Sequence, residues 1–325
     1  MNTQLNLPDL DMQELAKCIE DALNNRRDSF NGLEGSQVLF DPNETLTPLN
    51  GWNNLCNANI KDIDASDKAS QIAAVDSSAI FIADTPNGSI YAAKSGIAIA
   101  YNKKSIMHFK IGPTLLYINE SYQNINKLAL LDHSIVKRMI RIKVERALQN
   151  KLAESLSNTI ILVDGSLKVS LFEDNINHLT KIVDNCNANE NILVGISKVS
   201  RLKLVERLIS SLNNHNKPCY LNISHILRSY ISNLIGEQLL IRLSKNGLVL
   251  RADIINNIEQ VLSLLLSNDS LHNGYPETLR LAHHLSVFTK TEVLATIGII
   301  SSRFNLNEID GCDARKVLLG KIGVR

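Results

Sequence analysis

The hydrophobic and polar positions of this chain change their period along its length. Apolar residues recur at helical spacing up to about residue 30, and Asn, Asp, Pro and Gly clusters then interrupt the pattern as far as residue 68. From residue 71 the pattern is that of strands, and Asn87-Gly88 favours a tight turn because both residues accept positive φ. Three successive strands with short connections predict an antiparallel meander, over residues 71–83, 89–101 and 106–118.

The second half of the chain predicts helices that alternate with short apolar strands. A long helix at residues 128–157 leads to a buried strand at 159–164, and later elements follow as helices at 175–186, 201–213, 255–266 and 276–288 and strands at 191–196, 219–223 and within 238–251. Strands separated by helices indicate parallel pairing under a helical cover. We therefore predict an α/β fold with an RNase H-like core. Its mixed sheet has antiparallel hairpin strands and then parallel strands, flanked by helices, with additional N- and C-terminal helices.

The change of pattern near residue 68 predicts two regions. Residues 1–68 are assigned to an N-terminal helix and loop-rich extension, and residues 69–325 to the RNase H-like domain.

Composition limits the class of protein. With 44% hydrophobic and 21% charged residues, no apolar run of ~18–20 residues and no basic leader, we expect a cytoplasmic protein without a membrane partner. The 5 cysteines are far apart and form no CxxC pair, which excludes a zinc ribbon and argues against a disulfide framework. Because the net charge is only +1, any binding of nucleic acid must use a local concentration of positive charge.

Three acidic residues depart from the surrounding pattern. Asp76 interrupts an apolar strand, where an unpaired charge is costly, and Asp164 ends the strand at 159–164, where α/β sheets place their ligands. Glu145 shares a partly apolar stripe of the long helix. Each also has an ordinary structural explanation: a capping aspartate, an Asp-Gly turn and a solvated helical glutamate. Together they form a candidate site for one or two hard divalent cations, which prefer oxygen ligands and hydrolyse phosphodiesters.

Five short blocks resemble the NurA family of nucleases in their order along the chain. They are AVDSS at 74–78, Glu145 before the second acidic block, ILVDGSL at 161–167, GISK at 195–198 and GYPETLRLAH at 274–283. The resemblance covers the chain from about residue 72 to its end. It implies an RNase H-like, manganese-dependent 5′-to-3′ exonuclease on single- and double-stranded DNA, with single-strand endonuclease activity; Mg²⁺ is the alternative ion. It also implies a homodimer that docks on HerA, a hexameric DNA-translocating ATPase, for end resection in homologous recombination repair.

The same resemblance implies roles for six residues. Asp76, Asp164 and His283 would bind the metal, and Glu145 would be a fourth ligand or position the water. Lys198 would stabilise the phosphate in the transition state, and Tyr275 would contact phosphate or a base; these two complete the catalytic set. If the resemblance is set aside, the ordinary explanations are that Tyr275 packs at a helix start, that Lys198 is solvated and that His283 is a surface or core residue.

Two other functions compete with the nuclease. A non-catalytic adaptor for DNA ends or for the translocase would keep the fold, but it has no need of a carboxylate cluster. An actin-like or sugar-kinase-like ATPase needs a glycine-rich phosphate loop, whereas the 15 glycines here are scattered singly. The apolar helical stretches at 262–266 and 293–300 are candidates for a dimer surface.

Overall fold

The computed structural model describes residues 59–85, 87–119, 132–168, 177–198, 206–228 and 234–304. The predicted N-terminal helix lies outside these residues. The chain divides into two compact units, Met1–Val287 and Phe288–Arg325. The predicted boundary at residue 69 stays a prediction, and a two-residue strand at Lys61–Asp62 already joins the sheet of the first unit.

The strands of the main sheet are joined partly by short hairpin turns and partly by longer connections that contain helices. Those that the structure describes are β1 (Lys61–Asp62), β2 (Gln71–Thr85), β3 (Gly88–Tyr101), β4 (Lys104–Asn119), β5 (Thr159–Asp164), β6 (Ile192–Lys198), β7 (Cys219–Asn222), β8 (Glu237–Arg242) and β9 (Leu250–Ile254). They lie in the order β4-β3-β2-β5-β6-β9-β8-β7-β1. A separate short hairpin pairs β10 (Leu271–His272) with β11 (Tyr275–Pro276).

The core of the sheet has the predicted arrangement. Strands β2, β3 and β4 form the antiparallel meander, and β5 and then β6 are added to β2 in parallel. This confirms the predicted α/β class and its RNase H-like mixed sheet. The parallel part of the sheet ends at β6. Because β7 follows a helix, it could have paired in parallel with β6, but it lies beyond β9 and β8. The pairs β6–β9, β9–β8 and β8–β7 are all antiparallel.

Helices cover both faces of this sheet. In the first unit they are α1 (His133–Ser155), α2 (Asn177–Ala188), α3 (Glu206–Asn213), α4 (Ser224–Arg228), α5 (Ile258–Asn268) and α6 (Glu277–Ser286); α7 (Lys290–Phe304) belongs to the second unit. Each face of the sheet has its own hydrophobic core, and successive side chains of β2 point to opposite faces. Val75 packs with α1 in the first core, whereas Ala74 packs with α5 and α6 in the second. Leu262 and Leu265 of α5 are fully buried in this second core, so they cannot form the dimer surface considered from sequence.

One segment of the described chain, Glu277–Arg303, combines 27 residues with a mean hydropathy of 1.2 in its most apolar window, enough by length and composition for a membrane span. Helices of soluble cores meet the same criteria. The first half of this segment is α6, which packs against β3 and contributes to the second core. The cytoplasmic location expected from composition stays a prediction.

Close packing of α6 on the sheet depends on Gly96. This residue lies opposite Asp76 in the β2–β3 ladder. A Cβ atom here would collide with the carbonyl oxygen of Ala282 and lie 2.5 Å from the Cβ atom of Leu285. The missing side chain therefore lets the α6 backbone rest directly on β3, beside Asp76.

We expect Gly96→Ala to lower the free energy of unfolding by about 1–3 kcal/mol, because α6 must move away from β3 to admit the methyl group. Urea unfolding followed by circular dichroism measures the loss. Gly298→Ala is the matched control, since an added Cβ there meets no atom of the described residues within 4 Å and alanine favours a helix. Equal stability of the Gly96→Ala variant and the parent chain would show that α6 does not rest on this glycine.

Candidate metal centre

Asp76 is buried in the middle of β2, on the face covered by α6. Its Oδ2 atom accepts hydrogen bonds from His283 Nδ1 at 2.8 Å and from Ser286 Oγ at 2.9 Å. Both donors lie on one side of α6 because they are three residues apart. The carboxylate that the sequence marks as costly is thus held by two polar groups of a helix more than 200 residues further along the chain.

The end of α6 is fixed on the sheet by two further polar contacts. Ser78 Oγ donates to the carbonyl oxygen of Ser286, and Lys94 Nζ donates to the carbonyl oxygen of Val287 at 2.7 Å. Lys94 is buried, and a cation is favourable where a helix presents its last carbonyl groups. These contacts keep His283 next to Asp76.

Asp164 is exposed at the end of β5, directly beside the middle of β2, because Val163 pairs with Val75. Tyr275 Oη donates to Asp164 Oδ1 at 3.3 Å. Burial raises the pKa of the Tyr275 phenol, and the charge of Asp164 raises it further, so the hydroxyl stays protonated and remains a donor. Gly165, with φ +141°, turns the chain immediately after the carboxylate.

Asp76, Asp164 and His283 each offer one potential ligand atom, and these atoms lie within 4.8 Å of one another. Two carboxylates and an imidazole are a donor set that divalent cations accept. The three residues come from β2, β5 and α6, so the fold brings together three of the four ligands predicted from sequence.

Glu145, the fourth predicted ligand, lies on α1 and is not part of this three-residue group. It is buried, and its Oε1 atom accepts a hydrogen bond from Gln149 Nε2 at 3.1 Å. Burial raises the pKa of Glu145 to about 8; the charges of Asp76 and, more weakly, Asp164 raise it too, against the lowering effect of Arg141 and Arg146. In the metal-free chain Glu145 is therefore largely protonated at neutral pH.

We expect the free energy of unfolding of the metal-free chain to fall as pH rises from 4.5, the ordinary pKa of a glutamate, to about 8, the pKa of Glu145 in the folded chain. In that window the folded chain holds a proton that the unfolded chain has released, so unfolding becomes easier as pH rises, by at most about 1.4 kcal/mol per pH unit. Glu145→Gln removes the part of this loss that Glu145 causes, whereas the part from Asp269, whose pKa burial raises to about 7, remains. Urea midpoints in EDTA at several pH values measure the difference between the two proteins, and parallel pH profiles would contradict the prediction.

The position of Lys198 is set by the sheet, although its side chain lies outside what the structure describes. It is the last residue of β6 and pairs with Leu250 of β9. Its neighbour two residues earlier, Ile196, pairs with Asp164. The carboxyl ends of β5 and β6 therefore lie at the same end of the sheet, where the candidate centre is. The role of Lys198 in catalysis stays a prediction.

A buried ion pair that sequence analysis missed supports the turn after Asp164. Asp253, the fourth of the five residues of β9, accepts hydrogen bonds from Arg251 Nε at 2.8 Å, from an Arg251 Nη atom at 2.9 Å and from the backbone N–H of Leu167 at 2.8 Å. Gly195 leaves room for this turn, because a Cβ there would lie 2.6 Å from the carbonyl oxygen of Gly165. The strand predicted within residues 238–251 ended before Asp253, whereas β9 continues to Ile254, so the cost of a charge within a strand did not mark this residue.

Two polar residues beside the predicted set were also missed. Ser286 follows His283 by three positions, so helical spacing would have placed it on the same face. Gln149 links Glu145 to Arg146, whose Nη1 donates to Gln149 Oε1 at 2.8 Å. Nothing in the local pattern distinguishes this glutamine from a solvated one.

Comparison with solved structures shows what the fold of this chain is similar to. The fold is similar to the crystal structure of the NurA nuclease from Sulfolobus solfataricus, with TM-score 0.50 and 18% identity over 76% of this chain and 87% of that chain. A crystal structure of NurA bound to dAMP and manganese gives TM-score 0.49 and 15% identity over 77% and 91% of the two chains. Endonuclease V from Ciona intestinalis, in complex with DNA, gives TM-score 0.37 and 13% identity over 73% and 92%. At these identities the likeness is one of fold alone.

No curated protein sequence is significantly similar to the chain. The model of the NurA domain matches residues 70–288, which is well over half of the 325 residues and includes every residue of the candidate centre. The chain therefore belongs to the NurA family.

Proposed function

We propose that this chain is a metal-dependent deoxyribonuclease that hydrolyses phosphodiester bonds at the centre formed by Asp76, Asp164 and His283. The observation that carries the proposal is the convergence of three ligand atoms within 4.8 Å, from residues far apart in the sequence. Membership of the NurA family supports the same chemistry. A buried carboxyl group with a raised pKa, as Glu145 has, is typical of catalytic sites.

Manganese is the ion that we propose for this centre. Asp76, Asp164 and His283 would hold it, with Glu145 as a further ligand or as the group that positions water. The mixed oxygen and nitrogen donors favour Mn²⁺ over Mg²⁺, since Mg²⁺ prefers oxygen ligands and retained water. When bound, such an ion polarises the phosphate and lowers the pKa of water, and a second ion would stabilise the leaving oxygen.

The chain's own residues position these groups and manage protons. His283 Nδ1 and Ser286 Oγ orient the Asp76 carboxylate, and Tyr275 Oη orients Asp164. Glu145, whose pKa is about 8 in the metal-free chain, must first release its proton, as the charge of a bound cation would favour, before it can bind the ion or accept a proton from the attacking water. We propose that Lys198, at the end of β6, stabilises negative charge on the phosphate.

The finer activity that we propose rests on the NurA resemblance. It is 5′-to-3′ exonuclease action on single- and double-stranded DNA, together with endonuclease action on single strands. In the same proposal the chain is a cytoplasmic homodimer that works with a HerA-type hexameric ATPase in end resection for homologous recombination repair. Measuring the mass of the protein in solution, alone and mixed with such an ATPase, tests the assembly separately from the chemistry.

Metal dependence is the first test. We expect the purified chain to degrade end-labelled linear single-stranded DNA with Mn²⁺, to be slower with Mg²⁺, and to be inactive in EDTA, because the carboxylates alone cannot activate water. Substrates labelled at the 5′ or the 3′ end, and circular single strands, reveal polarity and endonuclease activity. A folded preparation that leaves every substrate intact with every metal would contradict the nuclease and favour the DNA-end or translocase adaptor.

A further inference from the structure

Among the residues that the structure describes, the edge of β2 next to the candidate centre is open. Strand β5 pairs with β2 only over Gln71–Val75, and β5 ends at Asp164. Within the described ranges, no strand pairs with β2 on that side between Asp76 and Thr85. A strip of backbone therefore starts at the centre and continues along β2.

The first half of α1 follows this open part of β2. His133, the first residue of α1, stacks on Phe81 of β2 with ring centroids 3.9 Å apart. Glu145, twelve residues later, follows Val144, which lies in the same core as Val75, the neighbour of Asp76. The turns of α1 between these two residues therefore run from the far end of the hairpin to the centre.

These turns carry basic side chains towards the same side as Glu145. Arg141 is one helical turn before Glu145, and Arg138 is three residues before Arg141, so the three residues share a face of the helix. Arg138 and Arg141 are exposed, whereas Glu145 is buried. The Arg141 charge is also the largest influence that opposes the raised pKa of Glu145, in keeping with their spacing of one helical turn.

We propose that Arg141 binds a backbone phosphate of single-stranded DNA beside the scissile phosphate, on the open edge of β2. This inference rests on the proposed nuclease function and names the substrate contact for it. A guanidinium suits the task because it stays charged and can offer two donors to one phosphate. It also accounts for DNA binding by a chain whose net charge is only +1, since the positive charge is concentrated where the strand must pass.

Binding measured without cleavage tests this contact. In the Asp76→Asn background, fluorescence anisotropy of a labelled single-stranded oligonucleotide is followed between about 50 and 200 mM salt, with and without Arg141→Gln. We expect Arg141→Gln to weaken binding about 3- to 10-fold at the lowest salt and to reduce the slope of log K against log salt by about 0.7. Arg141→Lys should keep the slope, because it keeps the charge. Lys181→Gln is the matched control, since Lys181 is an exposed cation on α2 with 65% of its side chain accessible.

The outcomes separate this inference from the proposed function. Unchanged affinity and slope for Arg141→Gln, or a loss of the same size for Lys181→Gln, would overturn the contact. So would an Asp76→Asn background that binds no DNA at the lowest salt. In each case metal-dependent cleavage by the parent chain would leave the nuclease intact, whereas its absence would contradict the nuclease as well.

Discussion

Asp76→Asn is expected to reduce DNA cleavage by more than about a hundredfold while the fold is retained. Asparagine has the size of aspartate, and its Oδ1 atom can still accept from His283 or Ser286, which now share Asp76 Oδ2. It lacks the negative charge that a divalent cation requires, and replacing even an outer residue of a metal site commonly costs 10- to 100-fold. Initial rates with Mn²⁺, alongside calorimetric titration of Mn²⁺, would show loss of both activity and metal binding.

The matched control for this substitution is Asp84→Asn. Asp84 lies on the same strand, its side chain is 62% exposed, and its Oδ1 atom accepts a hydrogen bond from Ser89. Asp84 is eight residues beyond Asp76 along β2, so removing its charge should leave cleavage nearly unchanged. If Asp76→Asn cleaves DNA at the parent rate, the active centre lies elsewhere; if both variants lose activity equally, the effect is not specific to the metal centre.

Asp253→Ala is expected to lower the free energy of unfolding by about 3–5 kcal/mol, the largest loss of stability that we predict. Asp253 is fully buried, and Arg251 beside it is 6% exposed. Without the carboxylate, the guanidinium remains in the interior with its charge unbalanced. The backbone N–H of Leu167 also loses its acceptor, which loosens the turn that follows Asp164. Urea unfolding at neutral pH measures the loss.

Two further variants isolate the cause. Asp62→Ala removes the contacts of Asp62 with His215 and with Lys217, which lie at the surface, and should cost only about 0–1 kcal/mol. The double variant Arg251→Met/Asp253→Leu removes both buried charges and should recover most of the lost stability. A double variant that is as unstable as Asp253→Ala would show that the unpaired arginine is not the cause.

Local pattern was enough to predict the strands around the centre and two of its carboxylates. Strands β2 to β4 and β5 to β6 follow apolar runs, and the turn at Asn87-Gly88 separates the first two. Asp76 and Asp164 could be recognised because a charge within or at the end of an apolar strand is costly, whatever the partner. The family blocks extended this to His283, Tyr275 and Lys198, whose local surroundings are unremarkable.

Only the tertiary structure decided which of these residues meet. The contact between His283 and Asp76 spans 207 positions and depends on α6 resting against Gly96. The insertion of β9 between β6 and β8, which puts Asp253 under the turn after Asp164, has no counterpart in the periodicity. Periodicity and the cost of a buried charge are properties of neighbours along the chain, so the sequence by itself determined the elements and marked the costly carboxylates. Pairing between distant strands and helices is chosen by packing and by partners for buried polar groups, and these exist only once the chain has folded.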